Sequence, residues 1–203
     1  MKILFLGYSK NKIIDFLKSE GEEIINIGPE EKIDIEKIKN WKPELAISFG
    51  YRKIIKSDFF NICPDIINLH ISYLPWNGGC DPNFWSFLEN TPKGYTIQYM
   101  ASDPLQGIDS GDIIIQKKAD FDDNETLATS YTKIRDGIES LFIDNWTKIK
   151  NKEIKVEVQD PNKGNYHHLH DIDKYKFLLE KDGWDTKVSE ISEYGRNNNL
   201  WFS

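Results

Sequence analysis

Asn68 and His70 close the stretch Asp65-Ile66-Ile67-Asn68-Leu69-His70. Side chains alternate along a strand, so this pair shares one face while Ile67 and Leu69 take the other. An amide donor and an imidazole then stand side by side at the carboxyl end of a strand, where open α/β sheets bind ligands. The acid comes from Gly107-Ile108-Asp109-Ser110-Gly111-Asp112. Amide, imidazole and carboxylate form a minimal acyl-transfer set of oxyanion donor, proton carrier and orienting group. In that set Asp109 orients His70 and favours its charged form. Asp112 is a rival, but at an odd spacing from Asp109 it faces elsewhere in an extended segment. Cys80 is the competing nucleophile, with nothing around it to lower its pKa, and a small buried residue is its simpler role.

The elements that must hold these residues read as follows. Lys2–Gly7 is a buried strand, and Asn11–Ser19 a helix closed by Gly21. Glu23–Ile27 is a second strand, Glu30–Asn40 a polar helix and Leu45–Gly50 a third strand. This β-α-β-α-β opening predicts a Rossmann-like, mostly parallel sheet flanked by helices. Gly7-Tyr8-Ser9-Lys10-Asn11 has one glycine where a dinucleotide fingerprint needs three, which disfavours nicotinamide and flavin cofactors. Asp81–Thr91 reads as a helix capped near Asp81, its Phe84, Trp85, Phe87 and Leu88 taken as core. Tyr95–Met100 and Ile113–Lys117 are strands, and Glu125–Ile149 is a long amphipathic helix.

From Lys150 the pattern loosens. Asp160–Asn165 is a turn, and Tyr166–Glu180 reads as one short helix. We divide the chain into a catalytic domain over 1–150 and a short C-terminal extension over 151–203. His167, His168 and His170 cluster in the extension, but no Cys, Asp or Glu constellation completes a zinc site, and no metal is expected.

A formal charge of −7 disfavours non-specific binding to nucleic acid or anionic membrane. Two cysteines are too few for a disulfide framework and fit a reducing compartment. No run approaches transmembrane length. The expected location is the cytoplasm.

Asn68-Leu69-His70, then Leu74-Pro75 and Gly78, then Gly107-Ile108-Asp109-Ser110-Gly111-Asp112 resemble, in order, the signature of the formyltetrahydrofolate-dependent formyltransferases. The likeness runs from about the first strand to the strand after Asp112. It implies that the formyl donor is N10-formyltetrahydrofolate, that the acceptor is a primary amine, and that Asn68, His70 and Asp109 carry the transfer. On pattern alone Gly50-Tyr51-Arg52-Lys53-Ile54-Ile55 is a turn with a solvated Arg-Lys pair. The resemblance makes Tyr51, Lys53, Ile54 and Ile55 one wall of the folate slot, and Gln106, Gly107 and Ile108 the other. It also puts Trp76, Asn77 and Gly78 at the acceptor. That loop departs from the basic loop of the tRNA enzymes, residues 151–203 leave no room for their second β domain, and the phosphate loop of the glycinamide ribonucleotide enzymes is not evident. The expected acceptor is therefore a nucleotide-linked amino sugar. The alternatives are a hydrolase acting on the same donor, another small amine, or methionyl-tRNA. Partners are small molecules, and a homodimer is left open.

Overall fold

The computed structural model describes residues 1–101, 107–160 and 162–202. A six-stranded sheet runs β2 (Glu23–Ile27), β1 (Lys2–Gly7), β3 (Leu45–Phe49), β4 (Ile66–His70), β6 (Gly94–Tyr99), β7 (Ile113–Lys118). The first four strands pair in parallel, and β6 is antiparallel to both of its neighbours. The sheet is thus mostly parallel, as the sequence predicts. Ile3-Leu4-Phe5-Leu6 is buried without a break because both faces of a parallel sheet are covered.

Each face has its own core. Ile3, Phe5, Ile67 and Leu69 pack with α1 (Lys12–Ser19) and α4 (Leu127–Lys150) through Ile13, Leu17, Ile138, Phe142 and Trp146. Leu4, Leu6, Ala46 and Ile66 face the other way, against Ile38 of α2 (Ile35–Trp41) and Phe59 of a 3-10 turn over Ser57–Asn61. Side-chain caps fix where these helices start. Asn11 accepts from the Ile14 amide at 3.0 Å, and Asp34 accepts from the Lys37 amide at 3.0 Å. Thr126 and Thr129 form a reciprocal capping box at α4.

A third core lies beside the sheet. Phe84, Trp85, Phe87 and Leu88 of α3 (Pro82–Leu88) pack on Ile172, Val188 and Ile191, the last two from α5 (Val188–Asn197). The expected core role of the α3 aromatics is borne out, but Asp81 makes no side-chain cap there. The segment read as one helix from Tyr166 divides. Tyr166–His167 is a strand, β8, paired in parallel with β5 (Gly78–Gly79), and Asp171–Leu179 is 3-10 helix. A two-residue strand has no periodicity of its own, and only its partner defines it. The pairing needs glycine: Gly79 has φ +88°, and a Cβ there would lie 2.2 Å from the His167 carbonyl oxygen.

Candidate active site

The site grows from the last residues of β4. Ile66, Asn68 and His70 share a face, and the antiparallel register sets Gln98 of β6 directly opposite Asn68. The β6–β7 register shifts between Ile97 and Gln98, a bulge of the kind that re-aims side chains beside functional sites. Asp109 enters from the loop before β7 in the left-handed region, at φ 60°, a conformation Asp tolerates better than most residues.

The Asp109 carboxylate is the hub. Its Oδ1 accepts from Asn68 Nδ2 at 2.9 Å and from Gln98 Nε2 at 3.1 Å. Its Oδ2 accepts from the Gly79 amide at 3.0 Å and lies 3.5 Å from His70 Nδ1. Both side chains of the His70–Asp109 pair are under a tenth exposed, so solvent screens the pair weakly. His70 Nε2 lies 3.1 Å from the Asn77 carbonyl oxygen. A carbonyl only accepts, so Nε2 carries a hydrogen in this contact, and Nδ1, beside the Asp109 carboxylate, is the ring nitrogen left to take or give a proton. Asn68 has one amide hydrogen on Asp109, and among the described residues its second meets no acceptor.

The sequence-derived residues divide sharply. Asn68, His70 and Asp109 converge. Asp112 does not join them; its carbonyl accepts from the Tyr99 amide at 2.9 Å. Asn77, expected at the acceptor, is fully buried. Its backbone amide donates to Asn165 Oδ1 at 2.6 Å and its Nδ2 to Thr91 at 2.7 Å, so it shapes the loop that seats His70. Gly78 is also buried, under the Tyr166 ring, whereas Trp76 is half-buried with its ring edge-on to Phe202. Ile54 and Ile108 stand out as large apolar side chains, 81% and 53% exposed. Ile55 is half-buried against the sheet core, and Tyr51 donates to the Glu31 carbonyl at 2.8 Å. Lys53 lies 3.6 Å from Glu30, Gly107 is exposed, and Gln106 falls outside the described residues.

Gln98 and Gln159 were not legible as site residues. A glutamine in the middle of a strand and another in a loop carry no pattern of their own. Gln98 alone left a trace, as a polar side chain in an otherwise apolar strand.

Cys80 is no activated nucleophile: burial and the nearby acidic groups push its thiol up. The histidines of the extension go separate ways. His167 stacks on Trp85 at 3.8 Å and lies 3.1 Å from Glu89, whereas His170 is exposed beside Asp173. Among the described residues no group of three His, Cys, Asp or Glu side chains is arranged to hold a metal.

A family model described as formyl transferase matches residues 14–145. Methionyl-tRNA formyltransferase of Clostridium novyi is 29% identical over 169 residues, 82% of this chain and 52% of that protein. The Kosmotoga olearia enzyme of the same name is 31% identical over 132 residues, 64% and 42% of the two chains. The chain thus spans about half the length of the curated relatives it matches. Among solved structures, the formyltransferase PseJ from Anoxybacillus kamchatkensis aligns with a TM-score of 0.84 at 41% identity, over 96% of this chain and 100% of that one. It was solved in complex with UDP-4,6-dideoxy-4-formamido-L-AltNAc and tetrahydrofolate. A Helicobacter canadensis N-formyltransferase, solved with folinic acid and dTDP-3-aminofucose, shares the fold with a TM-score of 0.72 at 22% identity, over 96% and 79%.

Proposed function

The chain belongs to the formyl transferase family, and from that premise we propose that it moves a formyl group from N10-formyltetrahydrofolate to the amine of a nucleotide-linked amino sugar. The observation that carries this reading is the Asp109 carboxylate held between the Asn68 amide and the His70 ring. The acceptor class is supported by the 41% likeness, over nearly the whole chain, to a structure holding a UDP-linked formamido sugar and tetrahydrofolate.

In this mechanism the acceptor amine attacks the formyl carbon. The second hydrogen of Asn68 Nδ2 meets the developing oxyanion, a contact worth roughly 3–4 kcal/mol of barrier. The proton leaving the amine passes to the His70–Asp109 pair. The same pair delivers a proton to N10 as the C–N10 bond breaks, and tetrahydrofolate departs. Because Nε2 already donates to the Asn77 carbonyl, Nδ1 is the atom that takes the amine proton and returns it to N10, with the Asp109 carboxylate beside it holding the imidazolium that forms in between.

Tyr51, Lys53, Ile54 and Ile55 form one segment for the folate, and Gly107 and Ile108 belong to the other. The exposure of Ile54 and Ile108 supports apolar contact with a flat ring. Trp76 is the acceptor-side contact of its loop. Residues 1–150 carry the transfer machinery, and 151–203 form the extension. Free Cys63 and Cys80 and the acidic surface favour the cytoplasm. Among the described residues no helix is long and apolar enough to cross a membrane.

The test is a panel of UDP- and dTDP-linked amino sugars incubated with the folate donor and read by mass spectrometry. Formylation of at least one amine is expected. Formate release with every sugar unchanged would replace the transferase by a hydrolase, and formylation of methionyl-tRNA alone would move the acceptor.

A further inference from the structure

We propose that Gln159, outside the stretch matched by the family model, is a positioning residue that holds Asp109 in register with His70. This rests on the reading of Asn68, His70 and Asp109 as the transfer machinery.

Glu157 forms an isolated antiparallel bridge with Ile113 at the start of β7, its amide and carbonyl each bonded at 2.8 Å. Past the bridge Val158 is 75% exposed, whereas Gln159 is half-buried with its side chain on the Asp109 loop. The Gln159 amide nitrogen lies 2.9 Å from the Asp109 carbonyl oxygen and 2.6 Å from that of Gly111. It therefore grips the Asp109 loop on both sides of Ser110. Gly111 must be small for the loop to lie so close, since a Cβ there would meet the Tyr99 carbonyl at 1.9 Å.

The same nitrogen lies 3.0 Å from Gln98 Oε1, so its two hydrogens are shared among three acceptors. This contact decides which way the buried Gln98 amide faces. With its oxygen held by Gln159, its Nε2 must point at Asp109 Oδ1. Gln159 thus fixes both the backbone that carries Asp109 and one of the donors that aims its carboxylate. All three groups around Gln159 are acceptors. A glutamate of the same shape would have nothing to donate and would drive Gln98 to flip its own oxygen toward Asp109.

The experiment compares Gln159→Glu and Gln159→Leu with wild type at pH 7. With histidine labelled in its ring nitrogens, NMR reads Nδ1 and Nε2 of His70 separately. The His70 Nδ1 resonance, which faces Asp109, should move in both variants, and more in Gln159→Glu. The Nε2 resonance, held by Asn77, should stay. In formyl transfer kcat should fall roughly tenfold in Gln159→Leu and further in Gln159→Glu, with KM for both substrates within about twofold of wild type. In an Asp109→Asn background, Gln159→Leu should cost little more, because its effect runs through the carboxylate. A packing role predicts the reverse order: the isosteric Gln159→Glu near wild type and Gln159→Leu impaired. That order, an unmoved Nδ1 resonance, or full additivity with Asp109→Asn overturns the proposal. If Gln159→Glu fails to fold, Gln159→Leu carries the comparison alone. If the wild-type protein transfers no formyl group, the functional reading fails and the resonances still decide the role of Gln159.

Discussion

Among the described residues Asp109 receives four groups: the Asn68, Gln98 and Gly79 donors and, at 3.5 Å, the His70 ring. Asp109→Asn places an amide nitrogen among donors, so it removes the charge and also sets donor against donor. We expect kcat to fall by about 10²–10⁴ while the folate still binds, read by steady-state kinetics beside folate titration. His70→Asn should match it, and the double variant should be little worse than either, because the two act on one transition state. Near wild-type turnover by Asp109→Asn would remove the proton-holding pair from the mechanism. The folate slot is best probed at Ile54, which is exposed, and not at Ile55, which is half-buried against the core. Ile54→Asp should raise the folate Kd by about tenfold with the melting temperature unchanged, since roughly 1–2 kcal/mol of apolar contact is lost. Equal weakening of sugar binding would redraw the map. At this scale the sequence spoke clearly where residue type and order together marked chemistry, at Asn68, His70 and Asp109. It was silent at Gln98 and Gln159, whose importance lies only in what they face. It gave no sign that Asn77, expected at the acceptor, is completely buried.

The strands and long helices were legible because each carries its own period: Ile3 to Leu6 unbroken, α4 striped. The second helix was not placed correctly: it starts at Ile35 behind the Asp34 cap, not at Glu30, because a polar stretch has no apolar stripe to mark its first turn. What was not legible depends on a partner. β8 exists only against Gly78–Gly79, and the Ile113–Glu157 bridge only against β7. Gly79→Ala tests the first of these. Its left-handed φ and the nearby His167 carbonyl should cost about 3 kcal/mol, and protease should then cut between 151 and 170 faster than in wild type. An unchanged cleavage rate would mean that the short ladder does not hold the extension. A second element-level tie is Glu22, which lies before β2 and is bonded by Lys150 at the end of α4. Burial pushes its carboxyl up, but the Lys150 bond and the other cationic contact outweigh it and hold it below the ordinary value of 4.5. A depressed folded-state value stabilises the protein above the unfolded value and loses that contribution as pH falls through the folded one. Glu22→Gln should therefore cost roughly 1–2 kcal/mol at pH 7, less if the half-exposed lysine is well screened. The gap to wild type should close as pH drops below 4.5. A gap that widens on acidification would reverse the sign and refute the pairing.

On the scale of the whole molecule, the extension past Lys150 is bound to the sheet domain in two ways. Gln159 and Asn165 hold the loops of the site, while Ile172, Val188 and Ile191 cover Phe84, Trp85 and Leu88 of α3. Neither role shows in composition, because the segment is polar on average and its buried residues are few and widely spaced. Each of those three aliphatic side chains contributes about 1.5–3 kcal/mol by leaving water. Their loss alone would rival the roughly 5–15 kcal/mol that keeps a domain folded, before counting the α3 aromatics newly exposed to solvent. A chain cut after Lys150 should therefore be recovered as aggregate or melt without a cooperative transition. Residues 1–203 should show a single transition by circular dichroism and by tryptophan emission alike, because Trp85 and Trp146 lie in different cores of one cooperative unit. Two separated transitions in the full chain, or a truncated chain that melts within a few degrees of it, would make residues 151–203 an independent appendage. In that case the contacts of Gln159 and Asn165 could not anchor the site, since a segment that unfolds first cannot hold the loops that outlast it.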